Sequence, residues 1–160
     1  MNQTTPSVKF HIVLIEPEIP PNTGNIARLC AATGTHLHLV GKLGFSLDDR
    51  YLKRAGLDYW PHVDLHRWDT LKLLQAAYPQ GRWWYTTKTA NKTYVQANFQ
   101  PDDFIVFGKE TKGLPKALLA ANPDQCLLIP LFGTAVRSLN LSTSAGIVLY
   151  EALRQVGALE

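Results

Sequence analysis

Six short apolar, β-prone runs, each followed by a polar or helical stretch, set the terms on which this chain of 160 residues can fold. They are "KFHIVLIE" (Lys9 to Glu16), "HLHLVG" (His36 to Gly41), "HVDLHRW" (His62 to Trp68), "RWWYTT" (Arg82 to Thr87), "DFIVFG" (Asp103 to Gly108) and "QCLLIP" (Gln125 to Pro130). Several are apolar almost throughout, which suits strands buried on both faces. Helical patterns fall between and after them, at Asn25 to Thr33, Asp48 to Ala55, Asp69 to Tyr78, Pro115 to Ala121 and Leu141 to Val156. This alternation predicts an α/β fold with a mostly parallel sheet flanked by helices.

Two of the helices are informative in detail. In the last, Leu141, Ala145, Val148, Leu149, Ala152 and Val156 form a wide apolar stripe. In the first, Ile26, Leu29, Cys30 and Thr33 share a face and Gly34 is the stop. Arg28 points away from that face and falls in the first predicted turn, where the helix dipole disfavours a cation. Neither core packing nor helix electrostatics accounts for it, which makes it a candidate functional residue.

The remaining composition narrows the classes. At 46% hydrophobic and 18% charged, the chain reads as one globular domain over residues 1–160, with residues 1–8 as a flexible N-terminal extension. A net charge of +3 agrees with an RNA or phosphate partner without demanding one. Cys30 and Cys126 sit among apolar neighbours and read as buried, reduced thiols. There is no CxxC pair, and His36 and His38 share a strand face as simple alternation dictates, so no metal is expected. No run approaches the ~20 apolar residues of a membrane span, and a cytoplasmic protein is expected.

Ligands of parallel α/β sheets bind at the carboxyl ends of the strands. Three connections there are rich in glycine and polar residues. The first is "EPEIPPNTGNIARLC", with Asn22, Gly24, Asn25 and Arg28. The second is "FGKETKGLP", with Gly108, Glu110 and Gly113, and the third "IPLFGTAVRSLNLS", with Gly133, Arg137, Ser138, Asn140 and Ser142. Singly, each glycine reads as a turn, Glu110 as a carboxylate at a helix N-terminus, and Asn140 or Ser142 as a cap of the last helix. Together they mark one site. Neither the dinucleotide fingerprint nor the P-loop spacing is present.

"NTGNIARLC", "FGKETKGLP" and "RSLNLSTSAGIVLYEALRQ" resemble, in order, the three motifs of the 2′-O-methyltransferase branch of the knotted SPOUT superfamily of RNA methyltransferases. "EPEIPPNTGN", "GFSLDD" and "RAGLDY" extend the resemblance over nearly the whole chain, towards the minimal members that methylate the wobble ribose, cytidine or modified uridine, of leucine tRNAs. The resemblance implies a C-terminal trefoil knot, which no pattern argument would supply. It also implies S-adenosylmethionine as donor, S-adenosylhomocysteine as product and no metal. Cofactor contacts would come, mostly through backbone, from Tyr85, Gly108, Ile129, Ser138 and Leu139; Tyr85 replaces the small aliphatic residue frequent there.

Arg28 would meet the attacking hydroxyl; with a pKa above ~12 it is a poor base and better suited to positioning the ribose or its phosphate. Asn25 and Asn140 would hold loops or substrate, and Glu110 would orient Arg28 or the motif backbone. The family is dimeric through its first and last helices, so a homodimer is implied, with Tyr150 and Arg154 at the interface or reaching RNA. The partner would be the anticodon stem-loop of tRNA, with Lys53, Arg54, Lys109, Lys112 and Arg137 available to phosphates. A ribosomal RNA methyltransferase of the same fold and a non-catalytic RNA-binding protein are the competing expectations.

Overall fold

The structure, a computed structural model, describes residues 8–48, Arg50, Leu52, Arg54 and 60–160. Its strands are β1 (His11–Ile15), β2 (His36–Val40), β3 (Asp64–Trp68), β4 (Trp83–Thr86), β5 (Lys92–Thr93), β6 (Phe104–Phe107) and β7 (Cys126–Leu128). They form one sheet in the order β3-β2-β1-β6-β4-β7-β5, every pair parallel. The helices are α1 (Pro20–Thr33), α2 (Leu71–Ala77), α3 (Lys116–Ala121) and α4 (Leu141–Gln155). The six predicted strands are present, each slightly shorter than its apolar run. The two-residue β5 was not predicted, because "KT" carries no pattern to find.

Both faces of the sheet are covered, as the near-continuous apolar strands require. On one side Ile12, Leu14, Leu37, Leu39, Ile105 and Phe107 pack under Ile26 and Cys30 of α1 and Val148, Leu149 and Ala152 of α4. On the other, Val13, Val40, Tyr85 and Val106 pack under Leu74 of α2 and Leu118 and Leu119 of α3. Both cysteines are buried and free, and burial pushes their thiols up. No helix among the described residues is long and apolar enough to cross a membrane.

The first helix corrects the sequence reading. It begins at Pro20, five residues before the predicted Asn25, with prolines filling its first positions, where a missing N–H is harmless. Gly34 ends it at φ 68°, as expected. Asn22, Gly24 and Asn25 therefore lie inside the helix and not in a loop before it. Arg28 is the ninth of its fourteen residues, beyond the reach of the N-terminal dipole. The electrostatic anomaly assigned to Arg28 does not exist; its exposure on the face opposite the core remains.

Elsewhere boundaries shift little. Thr70 caps α2 by accepting from the Leu73 N–H, so that helix starts two residues after Asp69. Of the predicted helix at 48–55, Asp48 lies in a turn and Arg50, Leu52 and Arg54 are helical, while its other residues, Lys53 included, lie outside the described residues. So do residues 1–7 of the expected extension.

Two buried histidines organise the β1–β2–β3 side. The Trp68 indole, which can only donate, gives its Nε1–H to His38 Nδ1 at 3.0 Å. His38 therefore carries its proton on Nε2 and donates it to His11 Nδ1 at 2.9 Å. Burial, reinforced by neighbouring histidines, lowers the pKa of both rings to about 3, which keeps this pair neutral.

Candidate functional site

At the carboxyl edge of the sheet a cavity of about 980 Å³ opens between four segments. They are the N-terminus of α1 (Ile19 and Asn22), the connection after β4 (Thr86 to Asn91), the loop after β6 (Gly108 to Leu114) and the loop after β7 (from Ile129 and Leu131 to Asn140). The expected meeting of three loops is observed. The fourth wall, "TTKTAN", lacks the glycine and proline punctuation that would have exposed it to sequence reasoning.

One chain of hydrogen bonds ties the three predicted loops together. Ile19, the N-cap of α1, has no capping oxygen of its own. Glu110 supplies one from 91 residues away: Oε1 accepts from the Glu18 N–H at 2.8 Å, and Oε2 from the Ile19 N–H at 3.0 Å and Asn22 Nδ2 at 3.1 Å. A carboxylate at this position satisfies orphan donors and complements the helix dipole. Asn22, buried at 5% exposure, passes the link on by accepting from Asn140 Nδ2 at 3.0 Å. Asn140 in turn caps α4, its Oδ1 accepting from the Ser142 and Thr143 N–H groups. Glu18 reciprocates for the second loop, its carboxylate accepting from the N–H and hydroxyl of Thr111, which hold its carboxyl below the usual range.

Glu110 thus hydrogen-bonds the backbone at the start of α1. Replacing it by Gln would turn an amide NH₂ towards at least one of three donors. Glu110→Gln should lower unfolding stability by about 2 kcal/mol, read from urea or thermal unfolding, and leave helix content unchanged. A variant as stable as the parent would show that the carboxylate is not the cap.

Of the other predicted residues, Gly108, Ile129, Ser138, Leu139 and Asn140 line the cavity with Glu110. Tyr85 does not. Its side chain is 2% exposed, its hydroxyl accepting from Gln75 Nε2 at 3.1 Å, and the next residues, Thr86 and Thr87, form that part of the wall. Neighbouring strand positions face opposite ways. Asn25 and Arg28 are exposed on α1 and lie beyond the cavity wall.

Among the basic residues, Lys109, Lys112 and Arg137 border the cavity, joined by the unpredicted Lys88 and Lys116, although Lys109 also pairs with Glu16 at 3.2 Å. Tyr150 and Arg154 share an exposed face of α4, one turn apart, with Arg154 held by Glu151 through two bonds of 2.9 Å.

At the opposite end of the sheet the structure adds what strand alternation in β2 could not show. His36 and His66 both hydrogen-bond the carboxylate of Asp64, His66 Nε2 at 2.9 Å.

Known proteins resemble this chain in both sequence and fold. Residues 9–150 match the model of the SpoU rRNA Methylase family. The tRNA (cytidine(34)-2′-O)-methyltransferase of Saccharophagus degradans is 49% identical over 152 residues, covering 92% of this chain and 96% of that one. A solved structure concerned with 2-OH methylation of C/U34 on tRNA superposes with a TM-score of 0.89 at 44% identity, over 95% of this chain and 99% of that one. The SpoU methyltransferase AviRb from Streptomyces viridochromogenes, in complex with the cofactor AdoMet, superposes with a TM-score of 0.79 at 25% identity, over 92% of this chain and 60% of its own.

Proposed function

The chain belongs to the SpoU rRNA methylase family, and from that membership we infer that it is a tRNA 2′-O-methyltransferase acting on the ribose of nucleotide 34. The observation that carries this reading is the joining of the three motif loops, through Glu110, Asn22 and Asn140, around a single cavity.

S-adenosylmethionine suits that cavity. Its volume lies at the upper end for small-molecule sites, its walls include Leu114, Leu119, Ile129 and Leu139 for an adenine ring, and Gly108 leaves the backbone bare where the loop folds back on itself. When bound, the cofactor would supply an electrophilic methyl group on a sulfonium. The protein's task is alignment and exclusion of water. Backbone groups of Gly108, Ile129, Ser138 and Leu139 would hold the donor, and Glu110 and Asn140 keep the loops in register. Arg28 stands ~9 Å further along α1 than Asn22, with its side chain inclined back towards the helix N-terminus. From there it positions the target ribose or the adjacent phosphate, and Asn25, one turn earlier, supports the same strand of RNA.

The substrates in this reading are leucine tRNAs in the cytoplasm, presented through the anticodon stem-loop, with Lys88, Lys112 and Arg137 meeting phosphates at the cavity rim. A homodimer through α1 and α4 supplies further RNA surface; the exposure of Ile19 and Tyr150 supports it. We read the C-terminal segment as knotted, supported by the β6-β4-β7 order and by the Phe99 N–H bond to Gln155 Oε1, which holds α4 against the segment before β6.

The test is incubation of the pure chain with labelled S-adenosylmethionine and, in parallel, unmodified tRNA or ribosomal RNA, followed by digestion and nucleoside mass spectrometry. The expected product is a 2′-O-methylated nucleotide 34 in leucine tRNAs. Label confined to ribosomal RNA, or none despite bound cofactor, would overturn the reading.

A further inference from the structure

We propose that His36, Asp64 and His66 form a binding site for a divalent transition-metal ion of zinc's class, at the amino ends of β2 and β3. The register places Asp64 opposite His36 and His66 opposite His38, so the three side chains project from one face across two neighbouring strands. One ligand atom from each lies within 4.8 Å of the others. Two imidazoles and a carboxylate are a donor set suited to Zn²⁺, Co²⁺ or Ni²⁺, whereas Mg²⁺ and Ca²⁺ favour oxygen alone.

The rings are held in place from behind. His36 stacks on His11 with centroids 4.5 Å apart, and His66 stacks on His38 at 5.1 Å. His11 and His38 are themselves locked by the hydrogen bonds that run to Trp68. Support of this kind fixes ligand rotamers before an ion arrives. On the front, the Asp64 side chain is 50% exposed and that of His66 38%, leaving an entry path and room for water in the remaining coordination position. Without an ion, Asp64 accepts from both rings; an ion binds His36 Nδ1 and His66 Nε2 instead, with each neutral ring carrying its proton on the other nitrogen. Burial opposes ionisation of Asp64, but its hydrogen bonds with His36 and His66 prevail and hold its carboxyl below the usual range.

The site lies at the end of the sheet away from the motif loops, and β3 is an edge strand. Its effect is to clasp that edge to β2 rather than to take part in methyl transfer.

Titration of the untagged full chain with Co²⁺ should give visible d–d absorption of a four- or five-coordinate ion, saturating at one equivalent and abolished by Zn²⁺. His66→Asn and Asp64→Asn should each weaken binding at least about tenfold, with unchanged circular dichroism and tRNA methylation. A hundredfold excess of Zn²⁺ over its Kd should raise Tm by roughly 5 °C in the parent and not in the variants. Absence of the Co²⁺ bands, or equal affinity in parent and both variants, would overturn the proposal.

Discussion

Arg28→Ala should slow methyl transfer to tRNA by at least about 10²–10³-fold while leaving S-adenosylmethionine affinity within about threefold of the parent. The residue is exposed on α1, outside the apolar face and outside the cavity wall, so its removal takes no side chain from the core or from the cavity lining. The relevant measurement is a single-turnover rate with saturating cofactor, alongside calorimetric binding of the cofactor alone. Arg28→Lys should recover only part of the rate, because an ammonium keeps the charge and loses the planar fork that aligns a phosphate or hydroxyl. A parallel fall in cofactor affinity would mean that Arg28 serves the donor and not the ribose.

Gly108→Ala should reduce S-adenosylmethionine binding by on the order of 100-fold, equivalent to about 2.7 kcal/mol. An added Cβ would lie 2.1 Å from the Gly113 carbonyl carbon and 2.3 Å from the Leu114 nitrogen. Both are backbone atoms, so no side chain can turn aside to make room. The loop after β6 would have to open, breaking the 2.8 Å bond from the Gly113 N–H to the Lys109 carbonyl. Glu110 sits in the same loop, so the cap on α1 and the link through Asn22 to Asn140 would be pulled apart with it. Isothermal calorimetry on the folded variant decides the matter: unchanged affinity would show that the donor does not use this loop. By contrast, Cβ atoms at Gly133 and Gly146 meet nothing, so alanine there provides controls for the loss of a glycine as such.

Much of the architecture was legible because it rests on local pattern. Apolar runs such as "DFIVFG" could be nothing but buried strands, and the stripe on α4 emerged with Ala145, Val148, Leu149 and Ala152 buried as read. The start of α1 was placed five residues late because "IPPNTGN" reads as a connection, whereas prolines at 20 and 21 are good helix openings and the capping oxygen comes from Glu110, far along the chain. The wall after β4 was legible only in part: a motif position fixes the strand end but not which of two neighbouring side chains faces the cavity, and here Thr86 does.

The sequence by itself determined the parallel α/β sheet, the three functional loops and the family, since each is written in residue type and spacing over a few neighbours. Only the tertiary structure decided how those loops are joined. Asn22 read only as one polar residue of the first loop until Glu110 and Asn140, 88 and 118 positions away, were seen to bond its two amide atoms. The same holds for His36, whose partners Asp64 and His66 stand on the next strand. Hydrogen bonds act over about 3 Å of space, and chain separation carries no record of which side chains folding will bring within that range.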